Sequence, residues 1–232
     1  MRPSAPRLVR RSPVHDLLEP MYPVWTEVQG MAAVLRFSDP EQEERIKERL
    51  ALADLSCLPR LGLKGAGVLA WLRENGLQTA ETLYAVAPIE DHGILVRIDR
   101  EEVILEDGLQ GRVVSRIRDR LSANPPGIYR VERQEASFLL IGSRTNDVLG
   151  QTCGHDFRES AGQVVLSRVA GVSCRLLQLE VSGIAGFRIW LDPSYSVYLW
   201  KTLLGIVRED GGDAVGLGCL HPGLFQASSL KG

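Results

Sequence analysis

Leu63-Lys-Gly-Ala-Gly-Val-Leu-Ala-Trp-Leu72 reads as the end of a strand, a glycine turn and the first turns of a helix. Gly65 and Gly67 supply the backbone freedom that a tight strand-to-helix turn needs. The same order returns at Ile141-Gly-Ser-Arg-Thr-Asn-Asp-Val-Leu149. An echo of this kind predicts an α+β protein of two related halves, each an antiparallel sheet covered by helices. The halves are expected at about 23–125 and 126–220, within a single unit spanning 23–220.

The flanking sequence supplies the other elements. Pro23 to Phe37 is extended chain, and Ser38-Asp-Pro-Glu41 then opens a helix, with Ser38 as cap, Pro40 in the first turn and Glu41 closing a capping box. That helix shows Ile46, Leu50 and Ala53 to a core and leaves Glu43, Glu44, Lys47 and Glu48 for water. Ile94, Val96 and Ile98 alternate as a strand, Asp99-Arg-Glu-Glu102 turns, and Val103 and Leu105 continue a hairpin. A charged helix over Arg112 to Leu121 stops before Pro125-Pro126-Gly127. Tyr129 to Val131 and Phe138 to Ile141 are successive strands, followed by strands through Val164–Val169, Leu177–Val181 and Phe187–Leu191. Asp192-Pro193 starts the last helix, in which Val197, Trp200, Leu204 and Val207 share a face until Gly211-Gly212.

Composition narrows the function classes. Across 232 residues, 27 Lys+Arg stand against 29 Asp+Glu, so no net field argues for nucleic acid. No stretch approaches the ~20 apolar residues of a membrane span. The four cysteines, Cys57, Cys153, Cys174 and Cys219, form no C-x-x-C pair, which fits a reducing, cytoplasmic setting. Residues 1–22 form a basic, Pro-rich lead-in expected to be poorly ordered, with Arg2, Arg7, Arg10 and Arg11 ahead of the first acid, Asp16. Pro3, Pro6 and Pro13 break the helix that a mitochondrial presequence needs, and the start lacks the apolar run of a secretory signal. Residues 221–232 read as a tail.

The motif search is mostly negative. There is no G-x-G-x-x-G after a strand, no P-loop and no G-x-S-x-G, which disfavours nucleotide-fold oxidoreductases, P-loop enzymes and α/β-hydrolases. Cys153-Gly-His155 is the nearest approach to a metal-ligand pair and lacks a further soft ligand, so no metal site is expected. Asp54, Asp107 and Asp156 sit at element ends, where capping is the commoner role. Trp190, Tyr195, Tyr198 and Trp200 cluster near the last strand and helix. Of these, Trp200 belongs to the apolar helix face, whereas Trp190 is free to stack on a flat ligand or to face a second layer or a partner chain.

Taken in order, several segments resemble the folate-binding superfamily of the glycine cleavage T-protein, the aminomethyltransferase. Ala53-Asp-Leu-Ser56 is similar to that family's D-L-S strand entry, and Lys64-Gly-Ala-Gly-Val-Leu-Ala-Trp-Leu72 to its S-G-x-x-A-x-x-F-L turn and helix. Val181-Ser-Gly-Ile-Ala-Gly-Phe-Arg-Ile189 is similar to the T-G-E-x-G-[FY]-E-[IV] strand. Leu199-Trp-Lys-Thr-Leu-Leu204 resembles the following L-W-x-x-L-L helix, and Ala214-Val-Gly-Leu-Gly218 the A-G-L-G segment. The resemblance runs over about residues 50 to 220 and implies the family's α+β folate-binding fold.

It also implies a loss. In the family pattern the glutamate of T-G-E is a pterin ligand, because a carboxylate accepts two hydrogen bonds from the pterin's guanidine-like edge. Here that position is Ile184, and A-R-D after G-L-G has become Cys219-Leu220-His221. The chain also stops about where the family's C-terminal barrel would begin. These features resemble most the gamma subunit of heterotetrameric sarcosine oxidase. The resemblance implies an accessory, non-catalytic subunit without a cofactor of its own, partnered by the larger flavoprotein subunits of an amine-oxidising complex. No catalytic residue is expected on that reading. The alternative is a stand-alone tetrahydrofolate-dependent transferase or folate-binding protein, alone or as a homo-oligomer. In that case Asp107, Arg168 or Glu180 would replace the lost carboxylate or orient the substrate, with Trp190 as the stacking surface.

Overall fold

The computed structural model describes residues 10–160 and 162–221. In chain order its elements are α1 (His15–Leu18), β1 (Val24–Val28), β2 (Met31–Arg36), α2 (Pro40–Arg49), β3 (Ala51–Asp54), β4 (Arg60–Lys64), α3 (Val68–Glu74), β5 (Val86–Ile89), β6 (Gly93–Asp99) and β7 (Glu102–Glu106). They continue with α4 (Val113–Leu121), β8 (Tyr129–Val131), β9 (Ala136–Ile141), α5 (Thr145–Thr152), β10 (Val164–Val169), β11 (Val172–Val181), β12 (Ile184–Leu191), α6 (Ser196–Glu209), β13 (Asp213–Ala214) and α7 (Leu217–Leu220). The class is α+β: antiparallel sheets with helices packed on them.

The chain forms two compact units, one of residues 10–57, 135–160 and 166–221 and the other of 58–134 and 162–165. The division expected near residue 125 falls inside the second unit, between α4 and β8. The reason is strand pairing. Although β8 and β9 are successive, Val131 of β8 pairs with Gly62 of β4, whereas β9 pairs with β3 on one side and β12 on the other.

In the second unit, five strands lie in the order β5-β6-β7-β4-β8. Leu61, Leu63, Leu95, Val103 and Leu105 from the sheet share a buried core with Val68 and Leu72 of α3 and Val113, Val114 and Ile117 of α4. On β7 the expected Val103 and Leu105 face the helices, but on β6 it is Leu95 that pairs with Leu105 in this core, so the expected Ile94, Val96 and Ile98 fall on the opposite face of the sheet.

The first unit holds a six-stranded sheet in the order β10-β11-β12-β9-β3-β13, antiparallel from β11 through β3 and parallel only between β3 and β13. Phe187, Ile189 and Leu191 alternate onto the face that also carries Phe138, whose ring meets Trp200 of α6 edge-on at 5.1 Å. On α6, Leu199, Trp200, Leu203, Leu204 and Val207 are buried, but Val197 is 44% exposed and does not join the expected stripe. The helix proper starts only at Ser196, after a single 3-10 turn over Pro193–Tyr195 that Asp192 caps by accepting from the Ser194 amide at 2.9 Å.

Residues 10–22 of the lead-in are part of the first unit. Val14, His15 and Leu18 are 2% exposed or less, because the short α1 packs into the first unit. Residues 1–9 of the lead-in and 222–232 of the tail lie outside the described residues.

The helix α2 differs most from its expected form. Asp39, not Ser38, is the cap, accepting from the Glu41 amide at 3.0 Å. Glu43 and Lys47, expected in water, are each 1% exposed. The Glu43 carboxylate accepts from the amides of Phe37, Ser38 (3.2 Å) and Gly216 (3.1 Å), and the Lys47 ammonium donates to the Cys219 carbonyl at 2.8 Å while pairing with Glu44 at 2.6 Å. Buried charges persist only when bonded in this way. They tie α2 to the segment around α7, far away in sequence.

The echo noted above is realised in the backbone. Gly65 has φ +142° and donates to the Glu101 carbonyl; Gly142 has φ +125° and donates to the Ala185 carbonyl. Each precedes a helix by the same short turn, with Val68 donating to Gly65 and Thr145 to Gly142. A Cβ on Gly142 would lie 2.5 Å from the Arg49 carbonyl oxygen, whereas one on Gly76, at φ +81°, meets nothing within 4 Å. Gly142→Ala should therefore cost about 3 kcal/mol or more in urea unfolding, and Gly76→Ala only the ~1–2 kcal/mol of a left-handed alanine. Glu43→Ala should cost about 3 kcal/mol by stranding three amides, with Glu43→Gln recovering part of it in the same measurement.

Candidate functional site

The strand that carries the family pattern, β12, sits between β11 and β9, and its second face holds the polar chemistry of the first unit. Alternation puts Arg188 and Trp190 opposite the core-facing Phe187 and Ile189. Trp190 pairs with Arg175 of β11 and Ser137 of β9, and Arg188 with Leu177 and Leu139. Arg175 donates to the Glu135 carboxylate at 2.5 Å, and Arg188 Nη1 reaches Ser137 Oγ at 3.5 Å. Ser137 in turn donates its amide to Ser56 Oγ at 3.0 Å, and the Ser56 amide is held by Asp54 Oδ1 at 3.0 Å. Two guanidiniums, one of them paired with the Glu135 carboxylate, an indole and the Ser137 hydroxyl thus share one side of the sheet.

With Ser137 at 0% and Trp190 at 6% exposure, this face is largely covered. It offers no nucleophile beside a base and no pair of acids set apart in environment, so it has no evident acid-base chemistry. Cys174 and Cys219 add none. Burial pushes the thiols of Cys174 and Cys219 up to about 12, and a protonated thiol is a poor nucleophile or ligand.

The four residues singled out from the sequence are distributed widely. Trp190 lies on this face and is 6% exposed. Glu180 is exposed near the far end of β11, paired with Ala185, while Trp190 sits five positions further along β12, roughly 17 Å at strand rise. Arg168 is exposed on the edge strand β10. Asp107 belongs to the other unit and is 1% exposed. Its carboxylate accepts from the amides of Val113 at 3.1 Å and Val114 at 3.1 and 3.2 Å, which caps α4. Asp54 and Asp156 hold amides in the same manner. At Asp156 the Arg158 guanidinium beside it brings the carboxyl down to about 2. Cys153 and His155 face different serines, Ser167 and Ser160, rather than a common point.

Ile184 opens β12 directly after the Ser182-Gly183 turn, whose two positive φ values, 52° and 78°, make the tight connection of a two-residue hairpin. It pairs with Val181 and is half-buried.

Comparison with known proteins gives this geometry a setting. No family model matches the sequence. An aminomethyltransferase of Alkaliphilus metalliredigens is 37% identical over 236 aligned positions, covering 94% of this chain and 64% of the relative, and one of Clostridium botulinum is 23% identical, covering 82% and 55%. The glycine cleavage system aminomethyltransferase T of Bartonella henselae superposes with a TM-score of 0.71 at 18% identity, over 91% of this chain and 61% of that one. By sequence and by fold the chain is similar to the T-protein, or aminomethyltransferase, folate-binding superfamily.

It spans less than two thirds of the length of these aminomethyltransferase relatives. A chain of the heterotetrameric sarcosine oxidase of Corynebacterium sp. U-96, solved with pyrrole 2-carboxylate, has the same fold with a TM-score of 0.61 at 16% identity, and the match covers 88% of this chain and 97% of that one. Within the superfamily pattern, the second acidic position of the β12 strand is Arg188 here, so both acids of T-G-E-x-G-F-E are replaced. Arg188 was legible as a departure from that pattern. Arg175, Glu135 and Ser56 carried no sequence signal, because only the sheet brings their strands together.

The Asp107 geometry makes a stability prediction. Burial raises its carboxyl above the ordinary 3.8, against the opposing bonds from Val114 and Val113. A raised value means that its contribution is fully present below 3.8 and is lost as pH rises through the shifted value. Asp107→Ala should cost about 1–2 kcal/mol by uncapping α4. The stability of the wild type relative to Asp107→Asn should decline as pH rises across that interval in urea titrations, and a flat difference would remove the buried-carboxylate account.

Proposed function

We propose that the chain is an accessory, non-catalytic subunit of gamma type in a heteromeric, sarcosine-oxidase-like amine-oxidising complex. The observation that carries this reading is the pair of replacements on β12, Ile184 and Arg188, where the superfamily pattern has acids. Isoleucine accepts no hydrogen bond, and a guanidinium donates where a pterin edge also donates. The residues that were candidates to replace the lost carboxylate support the reading too: Glu180 lies at the far end of the ladder from Trp190, and Asp107 is engaged as a helix cap. The near-complete coverage of a chain of the Corynebacterium oxidase supports it further. On this reading the fold serves as a shaped surface for larger flavoprotein subunits, and a cytoplasmic setting follows.

A second reading rests on the 37% identity to the Alkaliphilus aminomethyltransferase: a tetrahydrofolate-dependent transferase or folate-binding protein of one-carbon metabolism. Tetrahydrofolate would then have to be held by groups other than the T-G-E carboxylate.

The two separate in one pair of measurements. Calorimetric titration of the purified chain with tetrahydrofolate should give no saturable heat up to hundreds of micromolar. A tagged chain isolated from its source should bring down larger polypeptides with flavin absorbance. Micromolar folate binding together with recovery of the chain alone would favour the transferase.

A further inference from the structure

The lead-in, expected to be poorly ordered, contains a constellation that nothing in the folate-fold reading uses. In the single turn α1 and the residue after it, His15, Asp16 and Glu19 bring one ligand atom each within 4.8 Å of one another. His15 and Glu19 are four residues apart and so share a face of the turn.

The imidazole has an independent reason to want a ligand. It is 2% exposed, and both ring nitrogens, Nδ1 and Nε2, are buried without a hydrogen-bond partner. A neutral ring carries one N–H and one lone pair, and a folded protein rarely leaves either uncompensated. Its orientation is set by Trp25 of β1, whose ring lies 4.6 Å away at 32°. Asp16 and Glu19 are exposed, so the ring's side of the cluster is dry and the carboxylate side is open to water. Asp54 also acts electrostatically on the ring, and among the described residues Arg11 opposes it.

We propose that His15, Asp16 and Glu19 form a binding site for a divalent transition-metal ion of the zinc type. One imidazole nitrogen and two carboxylate oxygens are a borderline N/O donor set, which suits Zn²⁺ and its first-row neighbours better than Ca²⁺ or Mg²⁺. Three protein ligands leave a fourth position for water. At bond lengths of about 2.0–2.2 Å, tetrahedral donors stand roughly 3.4 Å apart, so the three side chains close up by rotation of the two exposed carboxylates. The site ties α1 to the turn that follows it and does not depend on whether folate is bound or a partner is present.

The test uses the full chain, stripped with a chelator and titrated with zinc chloride by calorimetry at neutral pH. One site per chain is expected, with a micromolar Kd. Glu19→Gln and Asp16→Asn, both exposed positions that leave the fold intact by circular dichroism, should each weaken binding tenfold or more, and His15→Gln should abolish it. Cobalt substitution should give the visible d–d bands of a tetrahedral site without a thiolate charge-transfer band. Absence of saturable binding would overturn the site, as would binding that persists in the Asp16/Glu19 double variant. Binding lost only on His155→Ala would assign the ion to the Cys153–His155 loop and equally overturn it.

Discussion

The first unit depends on a backbone contact that only glycine permits. At Gly142 the chain leaves the central strand β9 and passes over the end of α2, with its α-carbon against the Arg49 carbonyl. The amides of Ser143 and Arg144 donate to the carbonyls of Glu48 and Arg49, supplying partners that the C-terminal end of α2 cannot find within the helix. Gly142 itself donates to Ala185, which fixes β9 beside β12. One close approach thus terminates a helix, starts another and sets the register of the strand that carries the family pattern.

The ends of the described chain are drawn in by charge as well as by packing. Glu43 and Lys47 lie inside because Gly216 and Cys219 come back over α2 and meet them. Buried ionic groups bonded on all sides confer specificity more reliably than stability, since an apolar core of equal volume would be as stable. Here they bond α2 to the C-terminal segment at Gly216 and Cys219.

On β12 the scaffold is retained while its chemistry has changed sign. The strand's apolar side still packs under α6, and the hairpin turn at Ser182-Gly183 keeps its two left-handed residues. Its other side carries Ile184 and Arg188 where the family pattern has acids, a change of chemistry that leaves the sheet pairing in place. A fold can outlast its site because core alternation and turn geometry do not depend on the residues facing the ligand.

What the sequence determined by itself was local. Period-two alternation marked β7 and β12, glycines at 65, 76 and 142 marked turns, and the order of matching segments carried the resemblance to the superfamily. Asp54, Asp107 and Asp156 were legible as capping residues because that role needs only nearby amides. The tertiary structure alone decided that β8 and β9 join different sheets, that Glu43 and Lys47 are buried, that Arg175 and Glu135 meet beside Trp190, and that His15 faces two carboxylates from inside. The physical reason is separation along the chain. Lys47 and Cys219 are 172 residues apart, and the burial of a charged residue is set by what distant segment covers it, a quantity no local period encodes.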